Sequence, residues 1–134
     1  MKKTVAIAVC LGFLSLPAIA HHSFAAEYDA SKTVTVTGTI TKVEWTNPHC
    51  HFFVDVKDAG GQVANWTFEL AAPNELLRKG MTRNTLKLGD RVTVKAFLAK
   101  DGTNYADARN LDMADGRQFN FESGGQYSVP EKKN

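Results

Sequence analysis

Residues 34–40 read Val-Thr-Val-Thr-Gly-Thr-Ile, apolar and small polar side chains in alternation. A period of two places one set on each face of an extended strand, a separation that a helix cannot make. The pattern recurs along the chain. It continues through Val43 and Trp45 with a change of phase after Ile40, where a bulge is expected. Thr46-Asn47-Pro48 then ends this first strand as a turn. A second strand is expected over His49–Lys57, with Cys50, Phe52, Val54 and Val56 on one face. His49, His51, Phe53 and Asp55 occupy the other face. Gln62–Leu70, Arg91–Leu98 and Tyr105–Met113 read as further strands, and a sixth is expected around Phe119 and Phe121. Asp58-Ala59-Gly60-Gly61, Leu88-Gly89-Asp90, Asp101-Gly102 and Asp115-Gly116 supply the turns.

One segment breaks the alternation. Pro73-Asn74-Glu75-Leu76-Leu77-Arg78-Lys79-Gly80 has Pro at its start, basic residues in its last turn and Gly at its end, which predicts one short helix. Three strands, a short helix and then further strands predict a mainly β fold. The expected form is a small OB-like Greek-key barrel of five to six strands with one short helix. An antiparallel sandwich is the alternative.

The first 20 residues have a different character. Lys2 and Lys3 precede an apolar run from Thr4 to Leu16 that is interrupted by Pro17 and closed by Ala18-Ile19-Ala20. This is the layout of a cleaved secretory signal peptide, and the run falls short of the roughly 20 residues that span a bilayer. The expected organisation is therefore a signal peptide over 1–20 and one β-barrel domain over 21–134, with a loose tail from Ser123. The whole chain has 16 Lys+Arg against 14 Asp+Glu, and the signal carries two of the lysines and no acid. The exported chain is then formally neutral, which argues against a nucleic-acid-binding surface. The mature protein is expected not to be membrane-embedded. It keeps one cysteine, Cys50, so it has no internal disulfide, and alternation points that thiol into the core.

The four histidines fall in two places, His21-His22 and His49-x-His51. Cleavage after Ala20 gives His21 a free α-amine beside its imidazole, two nitrogen donors from one residue. His49 and His51, two apart on a strand, share a face at about 6–7 Å. Nitrogen-rich sets of this kind suit Cu(II). The candidate metal ligands are therefore His21, His49, His22 and His51. Copper is the expected metal and zinc the alternative, and the chemistry resembles the histidine brace of exported copper proteins. Glu27 and Asp29 are candidate supporting carboxylates. Trp45, Phe53, Trp66 and Tyr105 are a candidate binding surface on the barrel. No phosphate loop, nucleophile elbow or HExxH motif is present, so no catalytic set is assigned.

Four stretches carry a family resemblance: "HHSFAAEYD", "VTVTGTITKVEWTNPHCHFFVDV", "APNELLRKGMTRNTLKLGD" and "AKDGTNYADARNLDMADGRQF". Together they resemble the small exported proteobacterial proteins grouped as domain of unknown function 6152. His21, His22, Ser23 and Phe24 match that pattern, as do Glu44, Trp45, Asn47, Pro48 and His49. The family pattern has a non-histidine, often aromatic, residue where this chain has His51, which weights His49 over His51. The resemblance implies a periplasmic location. The expectation taken forward is a periplasmic metal-binding accessory or carrier protein, with a metal ion and an envelope protein as its partners. A non-metal ligand- or protein-binding module of the cell envelope is the alternative.

Overall fold

The computed structural model describes residues 24–121. The expected signal peptide, His21, His22 and the tail from Ser123 lie outside those residues. A single helical turn, α1 (Phe24–Glu27), leads into β1 (Tyr28–Glu44). Then come β2 (His51–Lys57), β3 (Val63–Glu69), α2 (Pro73–Arg78), β4 (Arg91–Ala99), β5 (Tyr105–Met113) and β6 (Gln118–Asn120).

The pairing is that of a closed Greek-key barrel. β1 pairs antiparallel with β2 and with β4, β2 with β3, and β4 with β5. A parallel pairing of β3 with β5 closes the ring, and β6 extends it beyond β5. Five strands in the circuit 1-2-3-5-4, with the helix between β3 and β4, make an OB-like barrel, the fold expected from the element order.

β1 makes closure possible. Its first part pairs with β4 as far as Thr39, and from Thr39 onward it pairs with β2. One strand thus serves two neighbours and must bend between them. Gly38 sits at the bend, where a Cβ would lie 2.3 Å from the backbone oxygen of Asp55. The register shifts between Ile40 and Lys42, at the phase slip visible in the sequence. A second shift lies between Asp29 and Thr33. The sequence reading assigned no strand there, because Tyr28–Lys32 does not alternate.

The inward face is the predicted one. Ile40, Cys50, Phe52, Val54, Phe68, Val92, Val94 and Leu111 are all buried in one cluster. Phe52 and Phe68 stack at 5.2 Å. Each such side chain contributes roughly 1.5–3 kcal/mol by leaving water. The Cys50 thiol is in this core, with its ionisation opposed by burial, and takes no part in the outer face. α2 starts at Pro73 and projects the buried Leu76 into the cluster. It ends as the sequence predicts. Gly80 has φ +80°, its N–H donates to Leu77 O at 3.0 Å, and the N–H of buried Met81 donates to Leu76 O at 2.9 Å. This is a Schellman closure with its hydrophobic contact.

Candidate functional site

The register decides which outward side chains meet. His51 lies opposite Glu69 across β2 and β3, and Glu69 lies opposite Asp107 across β3 and β5. Paired residues point to the same side of a sheet, so these three project together from the barrel wall. Tyr105 and Arg109, two residues either side of Asp107, join them. His49 precedes β2. The bonds Cys50 N–H to Ala71 O (3.1 Å) and Leu70 N–H to Cys50 O (2.8 Å) continue the pairing beyond the strand end. His49 therefore keeps the phase of His51, as the i,i+2 spacing predicts.

Glu69 is the centre of the group. Its side chain is only 11% exposed. Oε2 accepts hydrogen bonds from Tyr28 Oη at 2.6 Å and Tyr105 Oη at 2.7 Å. Oε1 lies 2.6 Å from His49 Nδ1. His51 Nε2 is 2.9 Å from Tyr105 Oη and 3.8 Å from Glu69 Oε2. Tyr28 and Tyr105 stack nearly parallel, with ring centroids 6.1 Å apart. Burial works against a charge on Glu69, but the nearby His51 ring nitrogen, donation from Tyr28 and Tyr105, and the His49 ring outweigh it. The carboxyl is held at about 2. The tyrosines move the other way. Burial first, and donation to Glu69 second, raise both phenols far above their ordinary range. The site is thus a fixed carboxylate surrounded by neutral phenol donors and two imidazoles.

Around this group is a cleft of about 1320 Å³. Its walls include Pro48 and His49 from the β1–β2 loop and Lys100, Asp101 and Thr103 from the β4–β5 loop. Phe24 and Tyr28 line it from the start of the described chain, and Phe121 from its end. The root of the N-terminal segment is held at the cleft by several contacts. Phe24 packs on Tyr28 at 5.4 Å and on Phe97 at 5.5 Å. The Lys100 ammonium donates to Ala25 O, and the Lys100 N–H donates to Glu27 O at 2.9 Å. Arg109 pairs with Asp107 at 3.1 Å and lies over the Phe97 ring at 5.1 Å. Burial raises the Asp107 carboxyl, with Arg109 opposing the shift.

The structure brings His49 and His51 together on one carboxylate, whereas His21 and His22 lie outside the described residues. Glu27 lines the cleft. Asp29 does not, and instead accepts hydrogen bonds from Ser31 and pairs with Lys32. Of the four aromatic residues grouped from sequence, only Tyr105 lines the cleft. Trp45 and Trp66 pack against the core, and Phe53 carries the Lys42 ammonium 4.9 Å from its ring centre. Sequence reasoning missed Glu69, Tyr28, Asp107 and Arg109. Nothing local marks Glu69, because its role depends on the register that sets β3 between β2 and β5. Among the described residues, no three His, Cys, Asp or Glu are arranged to hold a metal ion. Both Glu69 oxygens are already taken by hydrogen-bond donors.

No helix among the described residues is long and apolar enough to cross a membrane. Among solved structures, the chain is similar to the mitochondrial single-stranded DNA binding protein Rim1 of S. cerevisiae. The identity is 10% with a TM-score of 0.49, over 62% of this chain and 93% of that one. It is also similar to the N-terminal domain of PriB protein from Thermoanaerobacter tencongensis. There the identity is 18% with a TM-score of 0.46, over 62% of this chain and 96% of that one. A comparison with curated proteins gave no match. A sequence-family model described as a family of unknown function (DUF6152) matches residues 9–107, most of the chain, and the protein belongs to that family.

Proposed function

We propose that this protein is a periplasmic metal-binding accessory or carrier protein, with copper as its metal and zinc as the lesser alternative. His21, as the N-terminal residue left by cleavage after Ala20, supplies its amine and imidazole. His49 supplies a second imidazole, with His22 and His51 in support. One observation carries the reading. The carboxylate of Glu69 holds both His49, through Nδ1, and the root of the N-terminal segment, through Tyr28. Two parts of the chain far apart in sequence meet at one group. Phe24, on the cleft wall, is three residues from His21, a reach of about 10 Å of extended chain.

The chemistry of His49 fits the role. A ligating histidine characteristically gives its other ring N–H to a carboxylate, which fixes the ring and strengthens its donor nitrogen. Glu69 takes Nδ1, and Nε2 of His49 has no hydrogen-bond partner among the described residues. The side chain is 45% exposed, so that nitrogen can be reached. Cu(II) leads the affinity order for such nitrogen donors. The test is to export the protein with its leader, establish its first residue by mass spectrometry, and titrate Cu(II) with EPR detection. The expected result is nitrogen coordination that His49→Ala abolishes or weakens at least tenfold. Only micromolar binding, unchanged by His49→Ala, overturns the reading.

A second reading rests on the size of the cleft. About 1320 Å³ exceeds what one ion needs, and the lining is largely apolar. It lies between the β1–β2 and β4–β5 loops, where barrels of this type bind their ligands. A non-metal ligand or an envelope protein held there would raise the melting temperature while Cu(II) and Zn(II) leave it unchanged.

A further inference from the structure

We infer that Glu69 is a positioning residue that fixes the two histidines of the His49-x-His51 pair in opposite tautomers, so that His49 faces the metal through Nε2 while His51 buttresses the site. The inference deepens the metal-binding reading and rests on it for its functional meaning. The hydrogen-bond directions carry it. An ionised carboxylate has no proton to give, so each short contact to Glu69 must use a proton from its partner. The 2.6 Å contact to Oε1 therefore requires a proton on His49 Nδ1. In the neutral ring, the lone pair is then on Nε2.

The same logic runs the other way at His51. Tyr105 has one hydroxyl proton, and the 2.7 Å bond to Glu69 Oε2 uses it. Its oxygen can only accept in the 2.9 Å bond with His51, so the proton there belongs to His51 Nε2. Two histidines that look equivalent in sequence become inequivalent because one touches Glu69 directly and the other touches it through a phenol. His51 is also the less accessible, 23% exposed against 45% for His49.

A consequence for metal choice follows. Oε2 accepts from two phenols and Oε1 from His49. Glu69 is thus engaged as an acceptor of three hydrogen bonds, and the donor it presents to a metal is the His49 ring. A nitrogen donor of this kind suits Cu(II) better than Mg(II), Ca(II) or Mn(II), which favour oxygen.

The test reads the tautomers directly. Long-range ¹H–¹⁵N correlation spectra of the metal-free protein, recorded as a pH series that reaches the neutral form of both rings, should show Nδ1–H at His49 and Nε2–H at His51. Glu69→Ala should release His49 from the Nδ1–H form, and Tyr105→Phe should release only His51. Nε2–H at His49 in the unmutated protein overturns the inference. Because this measurement uses no metal, it stands even where copper binding fails, so the two failures are distinguishable. In Cu(II) competition titrations, Glu69→Ala should weaken binding about 10–100-fold. His51→Ala, which removes a buttress and leaves the His49–Glu69 contact in place, should weaken it less than His49→Ala does. A loss at His51→Ala equal to that at His49→Ala also overturns it.

Discussion

Replacing Glu69 by Gln keeps the shape of the side chain and removes its charge, so it isolates what the carboxylate contributes. In the folded protein that carboxyl is held at about 2, against 4.5 for a free glutamate. The difference, at about 1.4 kcal/mol per unit, sets an upper bound of about 3 kcal/mol. His49 is nearly half exposed and its contact with Glu69 is screened by water, which reduces the expected value to about 2 kcal/mol. The sign follows from the lowered value. The stabilisation is fully present above about pH 4.5 and is lost as the pH falls toward about 2. Thermal melts of the metal-free protein and of Glu69→Gln, with chelator present, should differ by about 8 °C at pH 7, taking about 4 °C per kcal/mol for a domain of this size. The gap should narrow steadily between pH 4.5 and 2.5, with the carboxyls remote from Glu69 titrating alike in both proteins and Asp107, raised mainly by burial and further by the Glu69 charge, titrating lower in the variant. A gap that is constant over this range, or that widens on acidification, would refute the assignment of Glu69 as an ionised, multiply hydrogen-bonded carboxylate.

Gly38→Ala should destabilise the barrel by at least about 3 kcal/mol in urea melts, because the new Cβ meets the Asp55 backbone oxygen and the Val54 side chain inside contact distance. Leu76→Ala should cost about 2–5 kcal/mol, since that side chain is fully buried in the core under α2. Cys50 should resist thiol reagents in the native protein and react as soon as the chain unfolds in denaturant, because burial both hides the thiol and opposes its ionisation.

The barrel was legible in the sequence because its signals are local. Alternation in residues 34–40, 51–57 and 91–98 marked which side chains go inward. Gly in four of the turns marked where strands reverse, and Gly61, Gly89, Gly102 and Gly116 all adopt positive φ. Even the bulge after Ile40 could be read, since a slipped phase is itself a pattern. Tyr28–Lys32 escaped because a strand with an irregular register does not alternate. The site divides along the same line. The pairing of His49 with His51 depends on one strand and was visible. The carboxylate that organises them comes from β3, its phenol partners from β1 and β5, and no spacing in the chain brings Tyr28, Glu69 and Tyr105 together. Only the closed β3–β5 seam and the path of β1 do so.

The central claim is that the residue exposed by cleavage and a histidine on the barrel bind one copper ion together. Its most direct test compares Cu(II) affinity, by competition titration, for four proteins. These are the chain beginning at His21, the same chain extended by Gly-Ser-Gly-Ser, and each of these carrying His49→Ala. Joint ligation predicts that the extension and His49→Ala each weaken binding at least tenfold, and that combining them adds little, since either change already breaks the shared site. Losses that simply add, or binding indifferent to His49, would contradict the account.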